Sequence, residues 1–336
     1  MTIRENIEEL ELRTLSPFAA CSRNSRGRDH MEVECDIRTV YQRDRDRIVH
    51  SKAFRRLKDK TQVFLSPQGD HYRTRLTHTL EVSQTARTIS KALRLNDDLV
   101  EAIALGHDLG HTPFGHAGEH ALDSVCPDGF AHYKQSVRVV EKLEKGGRGL
   151  NLTWEVRDGI LNHKSKGHPA TLEGQVVQLC DKIAYIHHDM DDAKRAGIVN
   201  EYDVPKELRR VLGDSIKEQL NTMVHDIVLY SRGIDHIQMS SEIREAMMEL
   251  RSWMFTNVYR SSVAQKEDEK AKTMIIQLYE YYIEHPEKMS KEYYDLITVK
   301  GEKISRAVCD YISGMTDQYS IAKYKEIFIP QSWGIY

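Results

Sequence analysis

Between Gly174 and Gly197 the chain runs through Val176, Leu179, Ile183, Ile186 and Met190 at helical spacing, with no proline or glycine in between. At 3.6 residues per turn these side chains share one side of a single long helix. A long helix with a one-sided apolar stripe needs a partner surface, and the rest of the chain supplies more helices. Val82, Ala86, Ile89 and Leu93 repeat the spacing before a stop near Asn96, and Leu99 to His107 forms another helix closed by Gly106 and Gly110. Ser136 to Lys145 carries Val137, Val140 and Leu143 before the turn Gly146-Gly147-Arg148-Gly149, which lacks the Gly-Lys-Ser/Thr ending of a phosphate-binding loop. Further helices are predicted over Leu208–Tyr230, Ser241–Tyr259, Ala271–Tyr282 and Ile304–Ile312. Strand signals are confined to Thr61–Leu65 and His71–Arg75, a small hairpin over Pro67-Gln68-Gly69. The expected fold class is all-α, with at most a short β-hairpin.

Composition narrows the functional classes. A length of 336 residues allows one large domain or two modest ones, and 40% hydrophobic with 29% charged residues rules out disordered and collagen-like chains. No stretch approaches the roughly 20 apolar residues of a membrane span. The acidic start, Met1 to Arg13, has no apolar core of a secretory signal. A net charge of −3 argues against a dedicated duplex-DNA binder. The basic run Arg43, Arg45, Arg47, Arg55, Arg56, Lys58 and Lys60 is interleaved with Asp44, Asp46 and Asp59, the pattern of a salt-bridged face or subunit contact. Five scattered cysteines form no C-x-x-C pair, so neither a disulfide framework nor a zinc ribbon is indicated, and a cytoplasmic location is expected. Sixteen histidines direct attention to metal or acid–base chemistry.

The densest histidine signal is His107-Asp108-Leu109-Gly110-His111-Thr112-Pro113-Phe114-Gly115-His116-Ala117-Gly118-Glu119. Imidazole nitrogen and carboxylate oxygen together suit first-row divalent metals. Adjacent His107 and Asp108 at a helix end turn two donors toward one ion, and the glycines let the chain bring His116 and Glu119 back beside it. Upstream stands Arg73-Thr74-Arg75-Leu76-Thr77-His78; downstream stands Asp181-Lys182-Ile183-Ala184-Tyr185-Ile186-His187-His188-Asp189. On the long helix Asp181, Tyr185 and Asp189 fall within roughly an 80° arc opposite the apolar stripe.

The order of a lone His, a His-Asp pair and a lone Asp resembles the HD-domain phosphohydrolase superfamily. Phe54-Arg55-Arg56-Leu57, Lys60-Thr61-Gln62-Val63-Phe64, His71-Tyr72-Arg73-Thr74-Arg75-Leu76-Thr77-His78, Gly115-His116-Ala117-Gly118-Glu119 and Gly159-Ile160-Leu161-Asn162-His163 are similar to its deoxyguanosine triphosphate triphosphohydrolase (dGTPase) branch. The resemblance is strong from about Arg38 to Gly197. It implies an HD-domain helical core over 38–197, after an N-terminal segment 1–37 and before a C-terminal helical extension 198–336. Tyr133-Lys134 departs from the Asn-containing string of the branch, and Cys180 stands where a small residue is usual.

The resemblance also implies roles. His78, His107, Asp108 and Asp181 match the metal ligands, for Mn²⁺ or Mg²⁺ first and Fe, Co, Ni or Zn as alternatives. His116 and Glu119 match the pair that orients the attacking water and protonates the leaving group, with His132 near the phosphates. Gln62 and Asp189 match contacts to the deoxyribose 3′-hydroxyl, Arg75 and Lys182 contacts to phosphate, and Tyr185 the aromatic wall against C2′. His111, His163, His187 and His188 are expected to be structural or to support the ligands. The implied activity is metal-dependent hydrolysis of dGTP or another dNTP to deoxynucleoside and tripolyphosphate. The implied partners are a dNTP, a nucleotide effector and further copies of the chain in a hexamer or other even-numbered oligomer, with no membrane. Two rivals stay open: an HD phosphohydrolase acting on another nucleotide, and a regulatory protein that responds to nucleotides or single-stranded nucleic acid with low turnover.

Overall fold

The computed structural model describes residues 1–62, 73–259 and 262–330. It is all-α among these residues. The expected hairpin lies largely outside them, and the described part is one antiparallel bridge between Thr61 and Thr74. No described helix is long and apolar enough to cross a membrane.

Two apolar cores organise the chain. The first is built around helices Val40–Val49, Arg75–Leu93, Asp97–Gly106, Trp154–Asn162 and Leu172–Arg195. Its centre holds Ile48, Val82, Ile89, Leu99, Ile103, Ile160 and Ile183, all fully buried. The stripe read on the long helix faces this core: Val176, Ile183, Ile186 and Met190 are buried and Leu179 packs against them half-buried. The second core joins helices Gly115–Val125, Ser262–Glu284, Lys291–Thr298 and Ile304–Ser313 through Ala117, Leu122, Ile275, Leu278, Val308 and Ile312. The short helix that carries His116 and Glu119 therefore leans on the C-terminal helices, not on the first core.

Several predicted helices are interrupted for local reasons. The expected Leu208–Tyr230 helix is two, Lys206–Leu212 and Ile216–Ser231. Gly213 between them adopts φ 121°, a conformation that favours glycine, and Ser215 starts the second helix with a capping box to Glu218. After His132–Arg138 the chain takes one wider turn over Val139–Leu143, then leaves helical geometry at Lys145 and Gly146.

The N-terminal segment wraps the first core and is tied down by buried carboxylates. Glu173 accepts from Ala20 N at 3.0 Å and from Asn96 N at 3.0 Å, and Glu155 accepts from Ser25 Oγ at 2.8 Å and Arg26 N at 2.7 Å. Asp44, fully buried, pairs with Arg28 and accepts from Thr153 N and Thr153 Oγ1, each at 2.7 Å. Three arginines of the basic run are salt-bridged, Arg45 to Asp98 and Glu101 and Arg43 and Arg47 to Glu32, as is the neighbouring Arg38 to Asp46, while Arg55 donates to His50 O at 3.1 Å.

Removing one partner of a buried ion pair strands the other charge, at a cost of about 3–5 kcal/mol. Asp44→Ala is expected to destabilise the protein toward the lower end of that scale, by leaving the Thr153 N–H and hydroxyl unpaired and Arg28 with only Glu32 and backbone carbonyls as partners. The change should appear as a lower urea midpoint at unchanged slope. A wild-type midpoint would show that the segment is not held there.

Candidate active site

Four helix ends converge on one cleft. Thr74 begins the Arg75–Leu93 helix with extended backbone, its N–H donating to Thr77 Oγ1 at 3.0 Å, so Arg75 and His78 stand one turn apart on a buried face. His107 caps the Asp97–Gly106 helix, and its Nδ1 donates to Ala104 O at 2.6 Å. His163 caps Trp154–Asn162 in the same way, Nδ1 donating to Ile160 O at 2.7 Å. Each bond fixes the tautomer and leaves Nε2 with its lone pair. The turn after His107 is pinned by Ser136, whose hydroxyl donates to His107 O at 2.7 Å and accepts from Gly110 N at 2.9 Å. A Cβ on Gly110 would lie 2.1 Å from Ser136 N, so that approach requires glycine.

The donor set gathers at the cleft floor. His78 Nε2 lies 3.1 Å from Asp181 Oδ1; His107 Nε2 lies 3.5 Å from Asp108 Oδ1 and 3.7 Å from Asp181 Oδ1. Bonds of about 2.1 Å at 90–109° to one small divalent ion put neighbouring donors about 3.0–3.4 Å apart, so the cluster is close to coordinating size. His107 Nε2 is buried with no hydrogen-bond partner among the described residues, an orphan that an ion would satisfy. Arg75 Nη1 donates to Asp108 Oδ2 at 2.7 Å, which leaves Oδ1 facing the histidines. Burial alone would push the Asp108 carboxyl up, yet His107, His111 and Arg75 hold it well below the usual carboxylate range. Burial also opposes ionisation of Asp181, and the bond from His78 with the nearby His107 outweighs it. These residues can hold a divalent metal.

A second cluster stands at the mouth. Glu119 accepts from His132 Nδ1 at 2.8 Å, from His132 N at 2.8 Å and from His116 Nδ1 at 3.3 Å. Burial would raise the Glu119 carboxyl, but the bonds from His116 and His132 hold it far below its ordinary value. Burial lowers the His132 imidazole, but Glu119 more than reverses this. His132 Nε2 faces His163 Nε2 at 3.2 Å, while burial, with His107 and His132 nearby, pushes His163 down to about 4. The His116 side chain is 51% exposed, and its ring lies 6.4 Å from that of Tyr185.

The cleft has a volume of about 250 Å³. Gln62, Arg75, His78, Asp108, His116, His132, Asp181, Lys182 and Tyr185 line it, with Glu119 directly behind two of them. His107 lies beneath, fully buried. Asp189 is buried two turns beyond Asp181 and does not line the cleft. His111 and His163, expected to be supporting residues, are part of its wall. His187 and His188 are not; the former donates to Ile183 O at 2.7 Å and the latter meets Glu81 at 2.9 Å. Lys164, Ser165 and Arg251 were missed by the sequence reading. Lys164 sits 3.9 Å from the centre of the Tyr133 ring, and Arg251 comes from the C-terminal helix Ser241–Met254. Lys164, Lys182 and Arg251 make no salt bridge among the described residues, unlike Arg43, Arg45 and Arg47 of the basic run.

The HD-domain family model matches residues 75–186, and the model of a phosphohydrolase-associated domain matches 237–326. A protein of Caldanaerobacter subterraneus subsp. tengcongensis, named deoxyguanosinetriphosphate triphosphohydrolase-like, is 59% identical over 333 residues, covering 99% of this chain and 98% of its own. The chain belongs to the dGTPase-like branch of the HD-domain phosphohydrolases. Another dGTPase-like protein, from Desulfatibacillum aliphaticivorans, is 49% identical over 98% of this chain and 99% of its own. In fold, the chain is similar to a phosphohydrolase of Bacteroides thetaiotaomicron, with TM-score 0.53 and 16% identity over 84% of this chain and 69% of that one. The HD phosphohydrolase is thus a hydrolase whose His/Asp cluster suits a divalent ion.

His107→Ala and Asp108→Ala are each expected to lose the bound divalent metal while the fold persists, because each removes a donor from the floor. Elemental analysis of purified variants checks this. Full occupancy in both would remove these residues from the donor set.

Proposed function

We propose that this protein is a metal-dependent deoxynucleoside triphosphate triphosphohydrolase that releases tripolyphosphate. The observation that carries the reading is the meeting, in one cleft, of a four-residue donor set, His78, His107 and Asp108 buried and Asp181 partly so, and cations without carboxylate partners among the described residues. A chain of phosphates is the ligand that satisfies both. The names of relatives matched over nearly all of this chain support the nucleotide class.

A divalent ion held by His78, His107, Asp108 and Asp181 would supply Lewis-acid polarisation at the α-phosphoryl group. Arg75 keeps Asp108 ionised and oriented, and its Nε, buried without a partner among the described residues, remains to meet a phosphate oxygen. Lys182, Lys164 and Arg251 offset the charge on the phosphate chain, which ends as tripolyphosphate when the 5′-oxygen of the deoxynucleoside departs. Water attacks the α-phosphorus, the bond from phosphorus to the 5′-oxygen breaks, and a proton must reach that oxygen. His116 is the donor. Glu119, held ionised, accepts from its Nδ1 and fixes the ring so that Nε2 is the end offered to the cleft, where the imidazolium form carries the proton to be given. His132 shares the same carboxylate and steadies it. Tyr185 packs its ring beside the sugar, where a 2′-hydroxyl would lose water partners and gain none.

The direct test is incubation with each dNTP and Mn²⁺, singly and in mixtures, followed by phosphate analysis. Tripolyphosphate with free deoxynucleoside is expected; orthophosphate or pyrophosphate as the first product, or no turnover, would overturn the reading. His116→Ala should keep its metal and lose about two to four powers of ten in kcat. A wild-type rate would place the proton donor elsewhere. Tyr185→Ala should raise GTP turnover relative to dGTP, measured as the ratio of kcat/KM values; an unchanged ratio with metal bound would take the tyrosine out of sugar selection.

A further inference from the structure

Two stretches that bear site residues are fastened to the C-terminal helices at one place. Asp317 is the first residue of the Asp317–Phe328 helix. Its carboxylate accepts from Phe114 N at 3.0 Å, from Thr61 N at 3.0 Å and from Thr61 Oγ1. Beside it, the Lys60 ammonium, 2% exposed, donates to Ser313 O at 2.7 Å and to His111 O. Lys60 has no salt bridge among the described residues, so it acts as a hydrogen-bond bridge and not as half of an ion pair. Residues 60–62 and 111–116 are thereby joined to 313–317.

What they fasten is a strained piece of backbone. Phe114 and Gly115 follow one another in the left-handed region, with φ 59° and 55°. A phenylalanine is held in that region only where its surroundings over-determine it. A Cβ on Gly115 would lie 3.1 Å from Gln62 O and 3.3 Å from Arg75 Nη2, so the turn rests directly on the cleft wall. The helix that starts at Gly115 carries His116 and Glu119. The cleft floor has anchors of its own, His107 on Ala104 O, Asp108 on Arg75 and Asp181 within the long helix, and Arg75 also touches the fastened stretch 60–62, its backbone N–H donating to Lys60 O at 3.0 Å.

We infer that Asp317 and Lys60 are positioning residues, a clasp by which the C-terminal helices set the angle of the His116–Glu119 helix over the donor cluster. This rests on the reading of His116 as the proton donor. Misplacing such a group by about 1 Å is enough to lose on the order of 10²-fold in rate. The clasp thus governs kcat and leaves metal binding alone.

The test uses the full chain with Asp317→Ala, Asp317→Asn and Thr61→Val, each alone and the first combined with His116→Ala. Asp317→Ala is expected to lower kcat for the best dNTP on the order of 10²-fold, with metal content and KM close to wild type. Asp317→Asn, which still offers one acceptor oxygen, should recover part of the loss, and Thr61→Val should lose less than Asp317→Ala. In the double variant the losses should not multiply, because Asp317 acts through His116. A wild-type kcat in Asp317→Ala, or fully multiplicative losses, would overturn the clasp. Hydrogen exchange separates this from the proposed function: whatever the wild type hydrolyses, amides of 111–119 should lose protection in Asp317→Ala, and unchanged protection there defeats the clasp. Absence of dNTP turnover in the wild type, with that protection lost, defeats only the proposed function.

Discussion

Asp108 is an ionised carboxylate kept away from water, and the surrounding structure is arranged to make that tolerable. An isolated buried charge is costly by several kcal/mol even after relaxation. Arg75 meets one oxygen at 2.7 Å, and His107 and His111 face the other at 3.5 and 3.8 Å. Each of these neighbours needs its own support. Arg75 depends on the helix start at Thr74, His107 on Ala104 O, and the turn from His107 to His111 on Ser136. The pinned imidazoles offer lone pairs where protons would repel an ion, so the same contacts that stabilise the charge prepare the site for a cation. The first core exists in large part to hold these helix ends at fixed distances.

The second cluster is built on a different principle. Glu119 gathers His116 and His132 at the surface of the cleft, and its helix is braced by the second core. One half of the site is rigid and buried, and the other is partly open and rests on the C-terminal helices. A hydrolase needs both qualities: donors that do not move, and an acid that meets substrate and solvent.

Much of this was legible in the sequence because it is local. The stripe Val176–Met190 sets which face of the long helix is buried, and so which face turns Asp181 and Tyr185 to the cleft. The lone histidine, the His-Asp pair and the lone aspartate stand in an order that few other arrangements share, and the fold brings all four together. What was missed is non-local. Nothing near His163 announces that its Nε2 will meet that of His132, 31 residues away in sequence. Arg251 reaches the site only because a C-terminal helix lies against it. The helices Val40–Val49 and Ile3–Thr14 did carry a readable signal, a capping box at Thr39 and Gln42 and another at Thr2 and Glu5, which apolar spacing alone passes over. The Gly213 break was likewise marked by a glycine and by Ser215-x-x-Glu218.

The bond from Phe114 N to Asp317 spans 203 residues of sequence. A ribosome adding about 5–20 residues each second makes Asp317 roughly 10–40 s after Phe114. The residues of the donor floor have all been synthesised by then, whereas the turn that aims His116 still lacks the carboxylate that takes its N–H. A nascent chain therefore passes through an interval in which His78, His107, Asp108 and Asp181 are all present but the turn before His116 is not yet fastened. Order of synthesis alone delays completion of the cleft wall until the chain has extended past residue 317.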